Sequence, residues 1–183
     1  MSTAPDYVEP IVGWRTWLVV CEGEGFRLRS VVYDTPWFPH NELIARCLHR
    51  AFCLPWRRRS GHVPPGRGCG CGIYASREPA EAASYLEGRS WADALGVHRV
   101  IGTVSLWGRV VECTRGWRGS HAYPKRIYVP ATRSRAPYWL RAERVEEVAL
   151  ALTDYHVPVE LLDADCCGPK ELVAALDAEA ARG

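Results

Sequence analysis

A chain of 183 residues, 48% apolar and 24% charged, has the composition of an ordinary globular protein and is short for two independent cores. No run approaches the ~18 apolar residues of a membrane helix, and the polar, proline-broken opening MSTAPDYVEP lacks the apolar stretch of a secretory signal. A cytoplasmic protein without a membrane partner is expected. The net charge of +2 conceals a split, because residues 1–141 hold 20 Lys+Arg against 11 Asp+Glu and residues 142–183 hold 3 against 10. The basic part suits a polyanion and the acidic part a protein partner, or the two complement each other within one fold.

In chain order, Trp14 to Val20 is rich in β-branched and aromatic residues, and Phe26 to Tyr33 alternates with period two. Glu22-Gly23-Glu24-Gly25 lies between them, so a β-hairpin is expected. Leu28 and Ser30 should share its inner face with Phe26 and Val32. After a Pro-punctuated loop, Asn41 is placed to cap a short helix, Glu42 to Arg50, with Leu43, Ile44 and Cys47 on one side. Phe52 to Gly68 has no periodicity and carries three Pro and four Arg. A loop of that length in a compact domain needs something to pin it.

The pin is legible in the same segment. Cys47, Cys53, His62, Cys69 and Cys71 fall within 25 positions, with no acidic residue between Ala45 and Ser76. Eight Cys in a chain without an export signal favour metal or redox chemistry over disulfides. Cys69-Gly70-Cys71-Gly72 sets two thiolates two residues apart on a glycine turn. Cys47 and His62 complete a Cys3His set suited to a structural zinc ion, with Cys53 as an alternative to either. A redox role for Cys69 and Cys71 is the competing reading. Cys21 and Cys113 read as core residues, and Cys166-Cys167 stand apart from the cluster.

Gly72 to Ala75 reads as a short buried strand, and Ser76 as the cap of a helix to about Leu86. The longest strand is His98 to Cys113, where Gly102 and Gly108, six apart, predict bends or bulges. A turn centred near Gly116 leads to the strand Ser120 to Pro130, at least the start of which Pro124 assigns to a sheet edge. Tyr138 to Tyr155 has a helical repeat in Ala142, Val145, Val148, Ala149 and Leu152. Val157 to Leu162 is extended, and Lys170 to Ala181 forms a last helix.

Three motifs of the middle half, CxCGIYA at Cys69–Ala75, GxVxLWGxVVE at Gly102–Glu112 and AYPKRIYVP at Ala122–Pro130, are similar to an uncharacterised, chiefly actinobacterial protein family. That resemblance implies no activity. The glycine-kinked long strand is also similar to those of PUA-like and ASCH-like barrels. The Gly-Ile-Tyr-Ala segment before a helix resembles that of ADP-ribosyltransferases, but their catalytic His and Glu find no matching positions here.

The expected fold is therefore α+β: a strongly bent, mainly antiparallel sheet or partial barrel with peripheral helices and a zinc-pinned loop at 45–75. Residues 1–135 form its basic β-rich domain, and the acidic helical segment 136–183 packs on it. The expected role is a ligand-recognition module for an anionic or aromatic ligand, with a nucleotide or nucleic-acid base first. Arg57, Arg58, Arg59, Arg118 and Lys125 supply charge, and Trp107 and Trp117 supply flat faces. Trp37, Trp56, Trp91 and Trp139 are further candidates for an aromatic cage. Alternatively, a hairpin that brings Glu112 near His121 and Tyr123 forms an acid–base set for a small enzyme, or the acidic segment makes the protein an adaptor. The bland counterpart for Glu112 is an ion pair with Arg118 or Lys125.

Overall fold

The structure, a computed structural model, describes residues 9–23, 25–33, 35–47, 62–66, 68–86, 96–130, 142–162, 173, 174 and 176. These form eight strands: β1 Ile11–Glu22, β2 Gly25–Ser30, β3 Pro36–Trp37, β4 Leu43–Ile44, β5 Ile73–Ser76, β6 Gly96–Cys113, β7 Gly116–Pro130 and β8 Val159–Leu162. Helix α1 is Pro79–Ala83, α2 is Ala142–Leu152, and a 3-10 turn follows at Thr153–Tyr155.

All eight strands belong to one sheet, antiparallel except where β8 runs parallel to β7. The pairings run in a circuit. β1 pairs with β6, β6 with β7 and β7 with β5, and the Trp14–Ser76 bridge returns β5 to β1. The sheet bends this strongly because the β6–β7 ladder slips register twice, between Thr103 and Val104 and between Trp107 and Val110. A glycine serves each slip. Gly108 takes φ +71°, and a Cβ on Gly102 would stand 2.0 Å from the Arg126 carbonyl oxygen, so only glycine lets the two backbones approach.

The hairpin β1–β2 pairs Trp17 with Ser30 and Val19 with Leu28, and Leu28 and Ser30 are buried as their alternation requires, whereas β2 ends at Ser30 and Val32, expected on the same face, is exposed. Trp17 meets Trp37 edge-on at 5.6 Å in the main core, with Val100, Val104, Leu106 and Ile127. A second cluster on the other side of β6 unites Ile101, Ala82, Ala83, Leu162 and Leu176. The Arg15 guanidinium donates to Ser30 Oγ at 3.0 Å and to the Tyr74 carbonyl, and lies 5.0 Å from the Trp37 ring centre, joining β1, β2 and β5. Burial pulls its pKa down to about 10, which leaves it cationic at neutral pH.

Several expectations need correction. The segment expected as a helix from Glu42 contains a strand instead. Leu43 and Ile44 pair with Ala122 and His121, and the free edge of β7 supplies backbone partners that an isolated short helix lacks. Ser76 ends β5 rather than capping a helix, and α1 begins after Glu78 with proline in its first turn. Pro124 is not on an edge strand. It sits at the first β6–β7 slip, and on the other side of β7 it falls between the end of β4 pairing at Ala122 and the start of β8 pairing at Ile127, where no ladder hydrogen bond is needed. Cys21 is exposed rather than in the core.

Residues 142–162 are built into the same body. Val145, Val148 and Leu152 of α2 and the following Tyr155 are buried in the main core, and β8 extends the sheet. The Tyr155 hydroxyl donates to the Trp37 carbonyl at 2.5 Å and accepts from the Leu28 amide at 2.9 Å. That burial pushes its pKa up to about 12. Among the described residues, no helix is long and apolar enough to cross a membrane.

Candidate metal centre and groove

Strand β7 anchors both ends of the cysteine segment. At one end, β4 pairs with it at His121 and Ala122, and the Ala45 amide donates to the Ser120 carbonyl at 2.8 Å, which brings Cys47 out beside β7. At the other, β5 pairs with Gly116 to Gly119, so Cys69 and Cys71 emerge on the same strand. His62 enters through a turn in which its ring packs on Gly66. A Cβ there would lie 2.4 Å from the imidazole, so a larger residue would displace the ring.

The ligand atoms of Cys47, His62, Cys69 and Cys71 all lie within 4.8 Å of one another. Cys47 Sγ and Cys69 Sγ are 3.8 Å apart, far beyond a disulfide bond, and these cysteines are free thiols. That spacing matches the edge of a tetrahedron with metal–sulfur bonds of about 2.3 Å, which is about 3.8 Å. The imidazole Nε2 of His62 stands 3.1 Å from Cys71 Sγ. Three sulfurs and one imidazole can hold a metal ion.

Backbone and side-chain donors surround the set. The Gly66 amide donates to Cys71 Sγ at 3.3 Å. The Cys71 amide turned towards Cys69 holds that thiol below its ordinary pKa, whereas burial pushes the Cys71 thiol up. Arg118 of β7 clamps the turn from beneath. Its Nη1 donates to the Cys69 carbonyl and, at 2.9 Å, to the Cys71 carbonyl, while Nε reaches Cys113 Sγ at 3.3 Å. The Tyr74 hydroxyl donates to the Gly70 carbonyl at 2.6 Å. Arg118, expected as a ligand-binding cation, is committed to holding the Cys-Gly-Cys turn.

A groove of about 490 Å³ opens on another part of the sheet, lined by His40, Glu42, Trp107, Tyr123, Tyr155, His156 and Val157. His40 and His156 both hold left-handed backbone, at φ 60° and 53°, and their rings meet edge-on with centres 4.4 Å apart. Such conformations cost energy outside glycine and mark places where something other than local preference dictates the chain. The Tyr123 hydroxyl accepts from the His40 amide at 2.9 Å and donates to the Tyr155 carbonyl at 3.0 Å. Trp107 is stacked against His121 with ring centres 6.0 Å apart.

The expected acid–base set is not brought together. The β6–β7 register places Glu112 opposite Trp117, whereas His121 lies opposite Trp107. The turn is at Thr114-Arg115, tighter than one centred on Gly116, and the slip at Gly108 separates the positions further. Glu112 accepts from Arg77 at 2.7 Å rather than from Arg118 or Lys125. His121 Nδ1 lies 2.8 Å from Ser120 Oγ, and the only Tyr123 hydroxyl hydrogen is given to a backbone carbonyl.

Of the other candidates among the described residues, Trp107 alone lines the groove. Trp117 packs against the core with Arg77 over its ring at 4.7 Å, Trp37 is buried, and Lys125 is exposed on β7. Arg57, Arg58, Arg59, Cys53, Trp56, Trp91, Trp139, Cys166 and Cys167 lie outside the described residues. His40, Glu42, Tyr155 and His156 were not singled out by sequence reasoning, since nothing local distinguishes them. The proline pair flanking Trp37-Phe38 before His40 was the nearest signal, a loop held in an unusual path. Comparison with protein-family models, with curated proteins and with solved structures finds no match.

Proposed function

We propose that this protein is a zinc-stabilised ligand-recognition module, and that the groove beside Trp107 takes a nucleotide or a nucleic-acid base. The convergence of Cys47, His62, Cys69 and Cys71 supports the zinc, because soft thiolates with one imidazole and four protein ligands suit a closed structural zinc site. The observation that carries the recognition reading is the groove itself. It is a depression wide open to solvent rather than an enclosed cavity, suited to one face of a flat ring, and indole, phenol and imidazole rings line it together with one carboxylate. The enzyme alternative built on Glu112, His121 and Tyr123 finds less support, since each side chain is already engaged elsewhere.

The test is a panel of nucleosides and nucleotides titrated by calorimetry against the zinc-loaded chain and a Trp107→Ala variant. Loss of a stacked base of this kind costs about 1–3 kcal/mol, so the variant should bind about 5- to 150-fold more weakly while melting near the wild type. Binding that Trp107→Ala leaves untouched, or no binding by any member of the panel, refutes the reading.

A further inference from the structure

The groove offers a ligand a short and unequal set of polar atoms. Its two phenols are spent on the fold, as the Tyr123 and Tyr155 hydroxyl hydrogens both go to backbone carbonyls. Each hydroxyl has only a remaining lone pair. No Lys or Arg lines the groove among the described residues. What remains is the Glu42 carboxylate, an acceptor only, and the imidazoles of His40 and His156, which can each donate through one ring nitrogen. Glu42 is exposed and has no hydrogen-bond or ion-pair partner among the described residues, so nothing there offsets a ligand's claim on it.

This inventory selects within the proposed reading, on which it rests. Among the described residues an anionic group would meet a carboxylate and no fixed cation, so a phosphate belongs outside the groove. A flat ring belongs inside, against Trp107. A carboxylate has two oxygens side by side and is best satisfied by two adjacent N–H donors. Among the common bases only guanine presents such a pair, N1–H and the 2-amino group. Adenine and cytosine set a single amino donor beside an acceptor nitrogen, and uracil flanks its N–H with carbonyls. Guanine also carries acceptors, O6 and N7, for which imidazole N–H groups are suitable partners.

We propose that the groove recognises a guanine base, with Glu42 reading the N1–H and 2-amino edge and His40 and His156 reading acceptors. The test compares guanosine, inosine (which lacks the 2-amino group) and adenosine, each titrated calorimetrically against the zinc-loaded full chain and a Glu42→Gln variant. Guanosine should bind about 10–100-fold more tightly than inosine or adenosine, as expected for hydrogen bonds to a charged group. In Glu42→Gln, whose amide offers one acceptor and one donor, guanosine should fall to the adenosine level. Equal affinity for the three nucleosides, or a guanosine preference that survives Glu42→Gln, overturns the guanine assignment and leaves the groove as a general base site. If no nucleoside binds the wild type, both readings fall. An unchanged melting temperature for Glu42→Gln separates lost recognition from lost fold.

Discussion

Replacing Cys69 by serine tests the metal centre with the least disturbance of its surroundings, because the side chain is half-buried and changes by one atom. A metal held by the four residues would tie Cys47 to His62 and so cross-link the chain across the stretch between them. By the chain-entropy relation for cross-links, a closure of about 15 residues is worth about 3 kcal/mol. For a chain of this size each kcal/mol moves the melting temperature by about 2–4 °C, so Cys69→Ser should melt about 6–12 °C lower. The assay is thermal unfolding followed by circular dichroism on zinc-loaded wild type, chelated wild type and the variant. Native mass spectrometry counts the metal in each. Chelation should bring the wild type down to the variant, and the loaded wild type should carry one zinc per chain. A Cys53→Ser chain should keep its metal. A metal-free Cys69→Ser chain that melts with the zinc-loaded wild type would refute the argument, since the cysteine segment would then be held by packing alone.

Three further outcomes probe the frame that carries the site. Tyr155→Phe leaves the Leu28 amide and the Trp37 carbonyl, both in buried residues, without their shared partner; urea unfolding should register a loss of about 2–4 kcal/mol. Gly102→Ala places a Cβ 2.0 Å from the Arg126 carbonyl oxygen, where backbone must part. It should cost more than about 3 kcal/mol or abolish soluble expression, and a variant as stable as wild type would disprove the β6–β7 register. His98 is buried, its Nε2–H donates to the Pro130 carbonyl at 2.9 Å, and burial holds its pKa below the ordinary 6.5. The unfolded chain therefore takes up a proton first, so this group's contribution is present above pH 6.5 and is lost as pH falls through the lower folded value. Melting curves from pH 7.5 to 5.5 should show wild type losing more stability than His98→Gln, whose amide can keep the bond without gaining charge.

The residues that reveal themselves in the sequence do so for different physical reasons. Cys47, His62, Cys69 and Cys71 are legible because thiolates and imidazole have few other uses in a loop with no periodicity. The hairpin of β1 and β2 is legible because alternation is a property of the strand itself. By contrast, Leu43 and Ile44 fit a helical face as well as a two-residue strand, and only the unpaired edge of β7 decides between them. Glu112 and His121 are separated because the turn closes at Thr114-Arg115 rather than around Gly116, which moves the partner of Glu112 from Ser120 to Trp117, and because of one bulge, so a local error propagates along the whole ladder. The groove is the least legible element of all. Its lining comes from the loop before β4, from β6, from β7 and from the turn after α2, and the left-handed backbone of His40 and His156 has no counterpart in composition or spacing.

Strand β7 carries both the candidate metal ligands and the groove wall. Gly116 to Gly119 carry β5 and with it the Cys69–Cys71 turn, which Arg118 of the same strand clamps. His121 and Ala122 carry β4, and the stretch around β4 runs from His40 and Glu42 in the groove wall to Cys47 in the metal set, only five residues beyond Glu42. Tyr123 then ties the His40 amide to the Tyr155 carbonyl, and Ile127 to Pro130 pair with β8, which directly follows the His156 turn. β4 contributes only two paired residues, too few to hold a groove wall by backbone hydrogen bonds alone. A metal–ligand bond at Cys47 would supply a second fixed point at the far end of that segment. On this account the metal is not a distant staple. Bound at Cys47, it would fix the end of the chain segment that carries Glu42, while Tyr123 holds the left-handed turn at His40 from the other end.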